Sequence, residues 1–402
     1  MEAVLKERRA RPPFSDHTTA IASEGSAGWA IADAAADAAE RGDDVVSLCL
    51  GDTSFDTPDR ILEKAIASLR EGRTHYAPVP GTPELRANIA AAQTRFDGHD
   101  WRAEHVTVFG GAQNALFATL MAVAGAGDEV LYFEPWYATY EATIRAGGAI
   151  AKPIKLSFES PSSKLSETAL AASITDRTRA ILLNSPNNPG GYVFARSDLE
   201  TVARVAKQHN LWIISDEVYR SAVFDDEYLS ITSFPDVLDQ TIIINSLSKS
   251  HAMTGWRVGW AIAPFAAAQH LQNLAQCMLF GSPTFIQDAA ATALQEAGDS
   301  EMRYFAAELR RRRDIMCNAL STIQPLTFTR PRGGMFCFVD VSATGLSGTH
   351  FAEKLFRTEG LAVVPGTAFG PNMSNFIRIS FSASEEIIEN GMERLRRFCA
   401  NL

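Results

Sequence analysis

The chain has 402 residues, 46% of them hydrophobic and 21% charged, a composition that fits a soluble globular protein long enough for two domains. A net charge of −10 with no basic stripe excludes nucleic acid and anionic membrane as partners, because few counterions could be released on binding. The first twenty residues lack an apolar signal core, no apolar run approaches the length of a membrane span, and the five cysteines are scattered without metal-binding spacing, so a cytoplasmic chain with reduced thiols and no metal is expected.

In chain order, an alanine-rich helix is expected over residues 30–40. Thr57-Pro58 opens a second helix, in which Ile61, Leu62, Ala65, Ile66 and Leu69 share one face and which Gly72 ends. Strands near 105–109, 130–133, 150–155, 179–183, 211–215, 241–245 and 258–262 then alternate with helical stretches, the last two being joined by a loop. That is the βα rhythm of a largely parallel sheet. Beyond Ser300 come a long charged helix over 301–320, a strand at 335–339, a helix, a short strand, a strand at 376–381 and a final helix from Ser384, which together read as a smaller α/β domain. The run Arg310-Arg311-Arg312-Arg313 on the long helix is expected to be a solvated face.

Several of the sheet strands end in polar clusters. The strand at 105–109 runs into Gly110-Gly111-Ala112-Gln113 ahead of an apolar helix, where backbone amides can hold an anion. The strand at 179–183 ends in the turn-forming stretch Asn184-Ser185-Pro186-Asn187-Asn188-Pro189-Gly190-Gly191. The strand at 211–215 ends in Asp216, with Tyr219 three residues on, and the run Thr241-Ile242-Ile243-Ile244 leads to Ser246-Leu247-Ser248-Lys249, eight residues ahead of Arg257. Serine hydroxyls and a guanidinium suit a phosphate. A lysine held beside a cationic group loses proton affinity, the condition for Schiff-base chemistry. Ligands bind at the carboxyl ends of strands in open α/β sheets, so these loops would converge on one site. Taken singly, each also has a plainer reading: a solvated lysine, a turn-capping acid, an ordinary turn. Arg378 stands in the otherwise apolar strand Phe376-Ile377-Arg378-Ile379-Ser380-Phe381 with no acid nearby in sequence, so its partner is either a ligand carboxylate or a distant acidic side chain.

Eight motifs in order carry a family resemblance: Gly51-Asp52 with Phe55-Asp56-Thr57-Pro58; Tyr76 with Gly81 and Leu85-Arg86; Gly111-Ala112-Gln113; Pro135-Trp136-Tyr137; Asn188-Pro189; Asp216-Glu217-Val218-Tyr219; Ser246-Leu247-Ser248-Lys249 with Arg257; and Arg378-Ile379-Ser380-Phe381. Over residues 51–378 the chain resembles the class I/II aminotransferases of the fold-type I pyridoxal-phosphate enzymes. The resemblance implies an α/β fold with a large domain, built on a mostly parallel seven-stranded sheet between helices, and a smaller α/β domain. It implies an N-terminal segment (1–47) packed with the small domain, a large cofactor domain (48–295) and a small domain (296–402).

The cofactor implied is pyridoxal 5'-phosphate. Lys249 would bond it and move the proton, Asp216 would face its ring nitrogen, and Tyr219 and Asn188 would bond its phenolic oxygen. Tyr137 would stack on the ring, and Gly111, Ala112, Gln113, Ser246, Ser248 and Arg257 would hold the phosphate. Tyr76 would reach the phosphate of the neighbouring subunit, which implies a homodimer with shared sites. Arg378 would bind the substrate's α-carboxylate, with Gly51 and Asn188 as further substrate contacts. The reaction implied moves an amino group from an amino acid to a 2-oxo acid.

Two positions depart from the family pattern: Gly190, where Thr is usual, and Gly51-Asp52-Thr53-Ser54-Phe55 in place of Gly-Glu-Pro-Asp-Phe. The stretches 245–257, 279–288 and 333–336 are similar to those of bacterial arginine–pyruvate aminotransferases. A cationic donor side chain would need an acid, for which Asp16, Glu24 and Asp52 are candidates. Aspartate or aromatic donors, or another reaction on the same scaffold (elimination, oxidation, decarboxylation), are the alternatives. Gly125-Ala126-Gly127-Asp128 lacks the third glycine of a dinucleotide fingerprint. A non-catalytic cofactor sensor would require an attached DNA-binding module, for which the chain ahead of the large domain is too short.

Overall fold

The computed structural model describes residues 16–21, 29–156, 165–225 and 227–402. Strand β1 (Val46–Ser47) pairs in parallel with a short strand near the C-terminus, described below. The large sheet contains β2 (Val106–Phe109), β3 (Glu129–Glu134), β4 (Ile150–Lys155), β5 (Thr178–Asn184), β6 (Trp212–Asp216), β7 (Thr241–Ser246) and β8 (Gly259–Ile262). Their order is β2-β8-β7-β6-β5-β3-β4. Strands β4, β3, β5, β6 and β7 pair in parallel. Such strands are covered on both faces, which is why Ala180-Ile181-Leu182-Leu183 and Ile242-Ile243-Ile244 are unbroken apolar runs, all buried.

β8 alone runs against its neighbours β2 and β7. Its connection explains this. A parallel return needs a crossover, usually a helix, whereas the loop from Ser246 to Gly259 carries none and brings the chain back antiparallel. That loop holds Lys249 and Arg257.

The second unit is a four-stranded antiparallel sheet, β12 (Val364–Pro365), β13 (Phe376–Ser380), β10 (Phe336–Asp340) and β9 (Thr327–Phe328), in that order. β11 (Leu361–Ala362) is the partner of β1. The helices Glu296–Leu320, Gly348–Glu359 and Glu385–Ala400 complete the unit. Ser347 and Ser384 cap the last two by accepting from the His350 and Ile387 amides. The helix Ala30–Glu40 buries Ile31, Ala35 and Ala38 and lies against Gly348–Glu359. Arg394 fastens the same corner, donating to Asp44 Oδ1 at 2.6 Å and to the Glu359 carbonyl at 2.8 Å. The segment Asp16–Ile21 contacts the large-unit helix Tyr140–Ala146.

The sequence reading omits the helix Pro83–Asp97, although its signals are present: proline in the first turn and a left-handed Gly98 (φ 78°) after the last. It also misjudges the arginine run. Arg310 and Arg311 are half-exposed, but Arg312 is 7% and Arg313 1% exposed. Arg312 donates to Ser54 Oγ (2.9 Å) and the Ser382 carbonyl (2.8 Å) while lying over Phe55. Arg313 pairs with Asp225 and Asp314, donates to the Pro331 carbonyl (3.0 Å) and covers Phe224. Among the described residues no helix is long and apolar enough to cross a membrane.

Arg313→Ala should therefore destabilise the protein by about 2–3 kcal/mol in urea unfolding, through lost charge-assisted hydrogen bonds and buried stem. Arg311→Ala should leave the transition essentially where it was.

Candidate active site

Parallel strands deliver their carboxyl ends to one edge. Here β5 ends at Asn184 beside Asp216 of β6, and β7 ends at Ser246 beside Gly259 of β8. A cavity of about 320 Å³ opens at this edge, roofed by Phe336 and Arg378 of the small sheet. Of the expected site residues it is lined by Gly51, Ala112, Gln113, Tyr137, Asn188, Asp216, Tyr219, Ser246, Ser248, Lys249, Arg257 and Arg378. Gly111 adjoins it through Arg257. Tyr76 is the exception. It is 85% exposed, set edge-on to Phe280 at 5.2 Å, and does not line the cavity of its own chain.

Lys249 sits mid-cavity, its amine donating to the Gly51 carbonyl. Burial pushes the amine down to about 8, with Arg257 and Arg378 acting in the same direction and Asp52 against it. Gly51 is a glycine for a steric reason: a Cβ there would stand 2.5 Å from Phe336 Cζ.

At the inner end lies Asp216, 6% exposed. It accepts from the Tyr140 hydroxyl (2.6 Å) and the Val218 amide (3.3 Å), and no cation among the described residues pairs with it. Burial pushes its carboxyl up to about 6, against the pull of those two donors. Tyr137 stands edge-on to Tyr140, ring centroids 5.5 Å apart.

The first residues of the helix Ala112–Val123, Ala112 and Gln113, line the cavity. Gly111 has φ 94°, and a Cβ added there would come within 2.4 Å of Arg257 Nη2. Arg257 is itself left-handed (φ 53°), at a cost of about 1–2 kcal/mol for a residue with a side chain. Its guanidinium is held by the Thr254 carbonyl at 2.7 Å. Gln113 is clamped from the helix Tyr140–Ala146 side, bonding Thr143 and Thr139 at 2.9 Å each.

Arg378 is 1% exposed and has no acid beside it. It donates to Asn188 Oδ1 (2.9 Å) and the Cys49 carbonyl (2.5 Å), lies over Phe336 at 4.0 Å, and leaves Nε without a partner. Burial lowers its proton affinity to about 10. Tyr219 shares a hydrogen bond with the Asn188 side chain, and burial pushes its phenol up. Asn188 is thus the joint between Arg378 and Tyr219.

Tyr140 and Trp29 also belong to the cavity and were not foreseen. A lone tyrosine at a helix start and a tryptophan in the N-terminal stretch carry no local signal of a site. Of the acids considered for a donor side chain, Asp52 lines the cavity. Glu24 and the Asp16 side chain lie outside the described residues.

Residues 43–395 match the family model of aminotransferase class I and II. The chain is 45% identical to the arginine–pyruvate transaminase AruH of Pseudomonas aeruginosa over 97% of this chain and 98% of that one. The chain belongs to the class I and II aminotransferases. A probable aspartate/prephenate aminotransferase of Aquifex aeolicus is 36% identical over 89% of this aminotransferase and 91% of its own length. The structure of an aspartate aminotransferase from Thermus thermophilus with maleate superimposes with a TM-score of 0.90 at 31% identity, covering 96% of this chain and all of that one. The fold-type I architecture expected from the motifs is therefore the observed one.

The environment of Asp216 gives this aminotransferase a testable pH signature. Between pH 3.8 and about 6 the folded chain keeps the Asp216 proton that the unfolded chain has released. Stability relative to Asp216→Asn should therefore fall as pH rises through that window in urea unfolding of ligand-free protein. Tyr140→Phe removes a donor to the carboxylate and should move the upper limit of the window to higher pH.

Proposed function

We propose that this aminotransferase uses pyridoxal 5'-phosphate to move the amino group of L-arginine, or a related guanidino amino acid, to pyruvate or another 2-oxo acid in two half-reactions. One observation carries the cofactor assignment. Asp216, Lys249 and Arg378 are charges taken largely out of water around one cavity, and none has a counter-charge paired with it among the described residues. A protonated ring nitrogen, an aldehyde and an amino-acid carboxylate are the groups that would satisfy them in turn. The cradle of Gly111, Ala112, Ser246, Ser248 and Arg257 suits the phosphate, since a side chain at 111 would fill it. The arginine assignment draws on the 45% identity to the Pseudomonas aeruginosa transaminase.

When bound, the cofactor supplies a carbonyl that takes up the amino group and a protonated ring that draws off the electron pair released at the donor's α-carbon. The chain's own residues do the rest. Arg378 grips the donor carboxylate with two donors and so fixes the α-carbon. Asn188 holds that guanidinium in place. Asp216, ionised, keeps a proton on the ring nitrogen, and Tyr140 orients the carboxylate. Lys249 Nζ would bond the cofactor and, once free, would be the base that takes up the donor's α-proton and gives it back. Its lowered proton affinity leaves a useful share of neutral amine near neutral pH.

A homodimer with shared sites would account for Tyr76, whose exposed ring lies beside the 51%-exposed Phe280 and does not line its own cavity. Borohydride treatment of the yellow holoprotein should bleach it and leave the label on the peptide containing Lys249. Lys249→Ala should still take up cofactor but transfer no amino group. Arg378→Ala should lower kcat/KM by about two to three orders of magnitude, as the substrate carboxylate loses its paired charge. Mixing Tyr76→Ala chains with Lys249→Ala chains should restore activity that neither has alone, because the mixed dimer contains one intact site.

A further inference from the structure

The cavity lining contains three cations, Lys249, Arg257 and Arg378, and two carboxylates, Asp52 and Asp216. On the reading given above, all of these except Asp52 are engaged by the cofactor or the donor's α-carboxylate. Asp52 is exposed, and no cation among the described residues forms an ion pair with it. Its position is nonetheless fixed. Thr254 Oγ1 donates to Oδ1 at 2.7 Å, and the Asp52 carbonyl accepts from Ser382 Oγ at 2.6 Å. It follows directly on Gly51, whose carbonyl touches the Lys249 amine, so the carboxylate stands one residue from the reacting centre.

Two apolar groups also line the cavity. Leu50 lines it and is 56% exposed, so its side chain is open to a bound ligand. Trp29 lines it too, with its ring 5.6 Å from the Arg378 guanidinium. A donor carboxylate held on Arg378 would therefore send its side chain past Trp29.

We propose that Trp29, Leu50 and Asp52 form the subsite that reads the donor side chain, with the methylene stem along Leu50 and Trp29 and a distal cation on Asp52. The chemical class selected is a long, unbranched amino acid ending in a guanidinium or ammonium group. A dicarboxylic donor finds no cation in this lining beyond the three already engaged and meets Asp52 instead, so its distal charge is repelled. The inference rests on the aminotransferase reading of the cavity and adds to it which residues set the choice of donor.

The test compares L-arginine with L-citrulline, which has nearly the same length and shape but a neutral end, using holoenzyme and pyruvate. Wild type should prefer arginine, and Asp52→Asn should shrink the arginine-to-citrulline ratio of kcat/KM by about ten- to a hundredfold, the worth of a charge-assisted hydrogen bond. Asp52→Glu should recover part of the ratio. Leu50→Ala should raise KM for both donors together. A ratio that is the same in Asp52→Asn as in wild type would overturn the subsite, as would a wild type that uses citrulline as well as arginine. A wild type that bleaches with borohydride at Lys249 yet transaminates no donor would instead overturn the reading on which the subsite rests.

Discussion

Three ionisable groups, the carboxyl of Asp216, the amine of Lys249 and the guanidinium of Arg378, are withdrawn from water around one cavity without being paired to each other or to other charges among the described residues. Burying a charge without a partner is among the more costly things a fold can do. The cost is visible in the direction of each displacement: the carboxyl upward, the two cations downward. Neutral donors and acceptors (Tyr140, the Gly51 and Cys49 carbonyls, Asn188) hold the groups in position but do not neutralise them. A ligand with complementary charges recovers this energy on binding, and the cavity is preorganised for that ligand.

The fold places the three groups by different means. Asp216 is fixed because it ends a central parallel strand in register with Asn184. Lys249 and Arg257 are fixed by the single antiparallel return in the large sheet, whose loop includes two non-glycine residues, Ala252 and Arg257, in the left-handed region. Arg378 comes from the other unit, on β13 opposite Phe338 of β10, and reaches across to Asn188. On the proposed reading, a donor held by Arg378 would contact both units. Arg378 ties the two units together at the cavity through its bonds to the Asn188 side chain and the Cys49 carbonyl.

Much of this was legible from single residues in context. Asp216 and Lys249 could be singled out because each follows an unbroken apolar strand, and Arg378 because it interrupts an apolar alternation with no acid within reach. The charge balance of Asp216, in contrast, depends on Tyr140, which lies 76 positions earlier and is indistinguishable in sequence from a core tyrosine. Trp29 lines the cavity beside Arg378, a neighbour far away in sequence. The arginine run was misread for a geometric reason. Successive helical residues turn by about 100°, so four in a row sweep most of the circumference and some must face inward. Arg312 and Arg313 do, and find Phe55, Phe224 and Asp225 there. The expectation that Tyr76 serves a neighbouring subunit concerns a contact that a single chain does not contain.

Calorimetric titration of ligand-free wild type and Asp216→Asn with pyridoxal 5'-phosphate at neutral pH tests the central claim most directly. The account predicts one binding event per chain in the wild type, with affinity falling sharply once the buried carboxylate is replaced by its neutral isostere. Equal affinity in the two proteins, or no binding by wild type, would contradict it.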